Sequence, residues 1–280
     1  MTQLINPQKF TDTVGLLRSF FLGKGFLEVH TQNRLSILAA CEDPFNVATY
    51  NYADQVWPLP QTGQMWLEHE LLSKPDSKGF FCVSTSYRQE PNAIPGRHDI
   101  IFPMFEFEMP GDVDDLKKME YELCTYLGFD DLTEKTYREW QQHYGVFAET
   151  ELDAQHELAM EMSFGSCLIT DFPELTSPFW NMARNDDGNT AKKMDVILGG
   201  METIGSAERS CDVDMMRDTF HSIVDGDYAE LLFKLFGKER VEGELEEFLK
   251  FDFFPRVGGG IGMTRMIAAL DKLQSLDKAA

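Results

Sequence analysis

The chain has 280 residues, 43% hydrophobic and 26% charged, with a formal net charge of −22. That composition can bury a substantial core and excludes a disordered polymer, while the acidity is on balance repulsive to nucleic-acid phosphates. No apolar run approaches the roughly 18 residues that span a bilayer. MTQLINPQKF lacks a signal-peptide pattern, and five scattered cysteines (Cys41, Cys82, Cys124, Cys167, Cys211) without a CxxC pair point to reduced thiols in the cytoplasm rather than a disulfide frame or zinc site.

In chain order, residues 7–24 carry apolar side chains (Phe10, Val14, Leu17, Phe21) at helical spacing. GFLEVHTQ follows as a short strand, and residues 41–57 read as mixed and loop-like. TGQMWLEHELLS (62–73) reads as a helix with Thr62 near its N-cap. FFCVSTSYRQE and IIFPMFEFE are β-branched and aromatic, and the Pro/Gly-rich loop between them predicts an antiparallel hairpin. Two helices, about 112–127 and 132–163, come next. Strand patterns return in SCLITDFP, PFWNMAR and KKMDVILGGMETIG, with NDDGN as the turn between the last two. Residues 212–248 are helical and charged, FDFFPRVGGGIG reads as strand then turn, and GMTRMIAALDKL as a final helix. With no repeat, low-complexity run or evident linker, residues 1–280 are expected to form one domain.

Three segments carry chemistry. In SYRQEPNAIPGRHDIIFPMFEFE, Arg88 and Glu90 precede the loop and Arg97–His98 close it. The alternation then places Phe102, Met104, Glu106 and Glu108 on one strand face. In MDVILGGMETIGSAERSCD, Asp195 and Glu202 lie seven apart and Arg209 seven further on. Two carboxylates beside a nucleotide suit Mg²⁺, which binds through few carboxylates plus phosphate oxygens; surface charges flanking a glycine turn would look the same. In VGGGIGMTRMIAALDKL, glycines open onto a helix whose N-terminus favours anions, with Arg265 one turn in. This is neither the dinucleotide fingerprint nor the GxxxxGK[ST] loop, and alone it describes a tight strand-to-helix turn equally well.

Together and in this order, the segments resemble the catalytic core of class II aminoacyl-tRNA synthetases over roughly residues 10–270. Within that family the likeness is to the asparaginyl branch of the aspartate/asparagine/lysine subgroup. TGQMWLE resembles SGQLxxE, with Leu67 where aspartyl enzymes show Lys. FPMFEFE resembles FxMxExE, with Met104 where aspartyl enzymes carry Gln. ITDFP…PFWNMARNDDGNTAKKMDV and ETIGSAER are similar to the family's TDFP…FYM…DG…MDV and EIIGGSxR.

The resemblance implies an α+β (α/β) fold: an antiparallel six-stranded sheet flanked by helices, assembled as a homodimer. It implies that ATP is held by Arg88 on the α-phosphate, Glu90 near the adenine amino group and Phe102 stacked on adenine. Arg97, His98 and Arg265 would be on the other phosphates, with Gly260 and Gly262 in the glycine strand. Arg88 and Arg265 are the candidate catalytic residues. Asp195 and Glu202 would hold Mg²⁺; Gln64, Glu68, Gly205 and Arg209 would face the amino acid. A donor at Arg209 with an acceptor at Glu68 is the pairing that an amide such as asparagine requires.

The sequence departs from the family at Gln32 (usually Pro), Ile101 (Glu) and Thr264 (Glu). The motif 1-like helix starts at Leu16, which leads to the expectation of a paralogue lacking the anticodon-reading barrel. The reading is an ATP-dependent, AMP-forming ligase that activates an asparagine-like amino acid for an acceptor other than a standard tRNA. Alternatives are asparagine synthetase-type amidation of aspartate with ammonia, a minimal asparaginyl-tRNA synthetase, or a non-catalytic amino-acid-binding regulator.

Overall fold

The computed structural model describes residues 4–31, 35–37, 44–89 and 99–277. Helix α1 (Pro7–Gly23) begins on Asn6, whose side-chain oxygen caps two backbone amides. Strand β1 (Leu27–Glu28) follows and is much shorter than GFLEVHTQ suggests. The expected loop before residue 58 contains instead a small hairpin of β2 (Thr49–Tyr52) and β3 (Gln55–Pro58). Helix α2 (Gln64–Ser73) leads to the hairpin of β4 (Phe80–Tyr87) and β5 (Ile101–Pro110). Helix α3 (Val113–Tyr126) starts in a capping box on Asp112.

The single helix expected over 132–163 is divided into strand β6 (Thr133–Thr136), helix α4 (Tyr137–Tyr144) and helix α5 (Ala154–Phe164). Thr136 caps α4, and left-handed Gly145 ends it. Strands β7 (Cys167–Pro173), β8 (Thr190–Leu198) and β9 (Met201–Arg209) follow, the last two joined through left-handed Gly199 and Gly200. PFWNMAR is not a strand; it contributes isolated bridges from Met182 to Arg209 and from Arg184 to Ala191. Helices α6 (Val213–Ser222), α7 (Asp227–Phe236) and α8 (Lys238–Phe248) precede strand β10 (Arg256–Gly262) and helix α9 (Met263–Asp277). The glycines expected in a turn therefore lie inside a strand.

The main sheet has eight strands, not six, in the order β1-β4-β5-β10-β9-β8-β7-β6. Its inner six are antiparallel to their neighbours, and β1 and β6 add one parallel strand at each edge. Strict alternation divides the faces. Phe105, Phe107 and Met109 of β5, with Val257 and Ile261 of β10, pack against Leu17 and Phe21 of α1, Leu116 and Leu123 of α3 and Met266 of α9. The opposite face lies under α2 and the α6–α8 cluster, where Trp180 packs edge-on against Phe220 and Phe248. Among the described residues, no helix is long and apolar enough to cross a membrane, and Cys82, Cys124, Cys167 and Cys211 are free.

One carboxyl in the apolar layer has no counter-charge within hydrogen-bonding reach. Glu120 of α3 is fully buried; Oε1 accepts from Ser206 Oγ at 2.5 Å, while Oε2 has no hydrogen-bond partner. Burial pushes its pKa from 4.5 to about 8, against the Ser206 hydrogen bond. Because the folded value is raised, the associated stability is complete below 4.5 and is lost as pH rises through about 8. Glu120→Gln is expected to flatten the fall of unfolding free energy between pH 5 and 8 by up to about 1.4 kcal/mol per pH unit, measured by urea unfolding across pH. An unchanged slope would show that Glu120 is not the titrating group.

Candidate active site

The face opposite the main apolar core carries polar groups at two ends of the same strands. On β5, Phe102, Met104, Glu106 and Glu108 share this face, as their alternation predicts, and run about 20 Å from one end to the other. The register pairs Glu108 with Gly258 and Met104 with Gly262 of β10, and Gly260 with Gly205 of β9. One end thus gathers Phe102, Gly262, Glu202 and Arg265; the other gathers Glu108, Arg256 and Arg209.

At the second end, Arg209 and Arg256 are directly opposite in the β9–β10 register, at 1% and 0% exposure. Two buried cations so placed require anions between them. Glu68, from α2, accepts from Arg256 Nε at 3.1 Å and Nη2 at 2.8 Å, and from Asn181 Nδ2 at 2.7 Å. Its Oε1 is also 3.7 Å from Arg209 Nε. Glu108 takes two parallel bonds from Arg209, from Nε and Nη2, both at 3.1 Å. Arg209 Nη2 also donates to Gln64 Oε1 at 2.7 Å, and Arg256 Nη1 to the Ser210 carbonyl at 3.0 Å. Burial pushes the Glu108 pKa upward, the Arg209 guanidinium opposes this, and neighbouring Glu68 reinforces it.

Glycine makes this possible. A Cβ on Gly258 would lie 1.6 Å from Glu108 Oε2 and 2.6 Å from the Phe107 carbonyl, so no larger residue fits beneath the Glu108 carboxylate. A Cβ on Gly260 would meet Met104 Cε at 2.8 Å and Gln64 Nε2 at 3.1 Å. The strand glycines therefore lie directly beneath the site's side chains.

Helix α2 is docked by Glu106. This fully buried carboxylate accepts from Thr62 Oγ1, from the Gly63 amide at 2.8 Å and from Ser84 Oγ at 2.5 Å. Burial raises its pKa, and these hydrogen bonds counter the rise. Thr62 Oγ1 in turn accepts from the Gln64 amide at 3.0 Å, at the helix start where the sequence places it. The first turn of α2, and with it Gln64 and Glu68, is thereby fixed to β5.

At the first end, Arg265 Nη1 donates to the Glu202 carbonyl at 2.7 Å and lies 3.9 Å from its carboxylate. Above Gly205, where a Cβ would stand, are Glu202 Oε1 at 2.9 Å and Asp195 Oδ1 at 3.4 Å. Gly205 thus lies beside the carboxylate pair, while its register partner Gly260 lies beneath Gln64. Asp195 Oδ2 accepts from Lys193 at 2.8 Å, while its buried Oδ1 has no hydrogen-bond partner. Burial raises the Asp195 pKa to about 7; Lys193 opposes this and Glu202 adds to it. An orphaned carboxylate oxygen beside a second carboxylate, over a position without a side chain, is chemically suited to a hard divalent cation completed by phosphate oxygens. The Arg88 guanidinium rests 5.4 Å from the Phe102 ring centroid, at the end of the β4–β5 hairpin. Glu90, Arg97 and His98 lie outside the described residues.

Sequence reasoning missed Arg256 and Asn181 entirely and read Glu108 only as a member of a face. Arg256 carried a faint signal, a cation immediately before the glycine strand.

A family model for tRNA synthetases class II (D, K and N) matches residues 8–280, and the chain belongs to this family. Among individual proteins, it is 26% identical over 168 residues to the asparagine–tRNA ligase of Rhodopirellula baltica, covering 56% of this chain and 30% of that protein. It is 34% identical over 70 residues to that of Treponema denticola, covering 24% and 15%. The chain therefore spans less than a third of the length of these curated relatives. In structure it is similar to asparaginyl-tRNA synthetase from Pyrococcus horikoshii complexed with asparaginyl-adenylate: TM-score 0.79, 19% identity, 95% of this chain and 65% of that one. Asparaginyl-tRNA synthetase from Entamoeba histolytica in complex with asparaginyl-adenylate gives TM-score 0.75 at 16% identity, covering 94% and 63%.

Removing one member of a buried ion pair strands the other. Arg256→Met is expected to lower unfolding free energy by about 3–5 kcal/mol by leaving Glu68 unneutralised. The double substitution Glu68→Met with Arg256→Met should recover a good part of that loss in urea unfolding. A double variant no more stable than the single would contradict the pairing.

Proposed function

We propose that residues 1–280 form one catalytic unit that activates an asparagine-like amino acid with ATP, giving the aminoacyl-adenylate and pyrophosphate. The observation that carries this is the arrangement, on one sheet face, of a charge-balanced polar nest at one end, Arg88, Phe102, Arg265 and Glu202 toward the other, and Asp195 at mid-strand between them. Two similar structures are complexed with asparaginyl-adenylate, which supports the same reading here.

The substrate carboxylate attacks the α-phosphorus, an O–P bond forms, and the bond to the pyrophosphate oxygen breaks. Both reactants are anionic, so the reaction requires positioning and charge neutralisation rather than a nucleophilic side chain. Arg88 holds the α-phosphate, and Phe102 carries the adenine ring beside it. Arg265, fixed by the Glu202 carbonyl, binds the departing phosphates, and the family likeness adds Arg97 and His98 to that role and Glu90 to the adenine. Asp195 and Glu202 are the residues that would hold Mg²⁺, which when bound supplies further neutralisation of phosphate charge.

The nest itself argues against aspartate. Arg209 and Arg256 are each matched by a glutamate, so a substrate carboxylate would add a third anion to two cations. A neutral carboxamide adds none, which places amidation of aspartate behind activation of asparagine. The net charge of −22 favours an acceptor other than tRNA, such as an amine. The family likeness also supports a homodimer.

Amino-acid-dependent ATP–pyrophosphate exchange tests the reading. Asparagine is expected to support exchange, and Arg88→Ala or Arg265→Ala to reduce it by about 10²–10³-fold, with melting temperatures close to the parent's. Absence of exchange with all twenty common amino acids would overturn it.

A further inference from the structure

Two neutral amides in the nest have their orientations dictated by charged neighbours. A carboxylate only accepts, so Asn181 must turn its Nδ2 toward Glu68, as the 2.7 Å contact shows. A guanidinium only donates, so Gln64 must turn its Oε1 toward Arg209, at 2.7 Å. The other half of each amide is therefore predetermined. Gln64 is left with a donor, Nε2, and Asn181 with an acceptor, Oδ1. Both atoms are buried without a hydrogen-bond partner, on residues 1% and 0% exposed.

An orphaned buried polar atom is costly, and two of opposite character in one connected network need an explanation. The network runs from Gln64 through Arg209 to Glu68 and Asn181. Gln64 Nε2 hangs over Gly260, and the Asn181 backbone is pinned by the Ser210 amide at 2.8 Å, next to Arg209. Glu68 cannot take the role that the sequence suggests for it, because its oxygens are already engaged by Arg256 and Asn181 and it is wholly buried.

We propose that Asn181 is the specificity-determining residue for the substrate side chain: its Oδ1 accepts from the NH₂ group of a primary carboxamide whose carbonyl accepts from Gln64 Nε2. Glu68 and Arg256 act behind it, as the pair that fixes which way Asn181 points. The arrangement selects a carboxamide over a carboxylate, which would set an anionic oxygen against the Asn181 acceptor. It also rejects a ketone of the same shape, which would leave that acceptor unsatisfied. The inference rests on the proposed amino-acid activation and adds to it the residue that reads the side chain.

The test compares asparagine with 2-amino-4-oxopentanoic acid, its methyl-ketone isostere, in ATP–pyrophosphate exchange and in calorimetric binding. The parent protein is expected to prefer asparagine by about 10²-fold or more. In Asn181→Leu the preference should shrink to within about threefold, through loss with asparagine, while KM for ATP stays near the parent value. Asn181→Ala, which leaves room for water at Glu68, carries the same expectation and serves if the leucine variant does not fold. A preference retained in these variants, or an equal fall with both ligands, would assign Asn181 a purely structural part and overturn the proposal. The binding arm needs no chemistry. Asparagine-selective binding without exchange would therefore count against activation, and an unaltered binding preference against Asn181.

Discussion

Two guanidinium groups facing each other across a buried pair of strands impose the constraint on which this site depends. Arg209 and Arg256 occupy paired positions on β9 and β10 where water does not reach. Neither could remain charged there without a carboxylate, and the fold provides one to each, Glu108 from the neighbouring strand and Glu68 from the helix above. Room for the Glu108 carboxylate exists only because Gly258 has no side chain. Strand composition, helix docking and charge pairing are thus one problem with one solution.

The solution has a consequence for chemistry. A nest of two cations and two anions is electrically balanced, so what it can recognise is hydrogen-bond direction rather than charge. The directions descend in order: carboxylates orient the arginines and Asn181, and Arg209 orients Gln64. Glu106 secures the hierarchy by bonding the first turn of α2 to β5, which sets the height of Gln64 and Glu68 above the sheet. Phe102, Gly262 and Arg265 lie toward the far end of the same strands, so β5 spaces them up to about 20 Å from the nest.

Much of this was legible in the chain. The alternation of Phe102, Met104, Glu106 and Glu108 placed them on one face because a strand's side-chain period is two. The spacing of Asp195, Glu202 and Arg209 across a Gly-Gly turn put the first two beside each other. Other signals were ambiguous. A glycine run reads locally as a turn, yet here neighbours on both sides hold it in a strand. TEKTYREWQQ continued a helical rhythm, yet its first four residues pair with β7 at the sheet edge, where a free strand offered bonds that local propensity did not anticipate. PFWNMAR looked like a strand, but its large side chains bury into the helical cluster and, among the described residues, it reaches the sheet through two isolated bridges.

The sequence by itself determined the family and the alternating faces, and it singled out Arg88, Phe102, Asp195, Glu202 and Arg265, because those signals are written in short spacings. Only the tertiary structure decided who pairs with whom. Arg256 meets Glu68 across 188 positions and Arg209 meets Gln64 across 145, separations over which no local pattern carries information. Burial then made those pairings obligatory, since a charge removed from water must find its partner wherever the fold brings one.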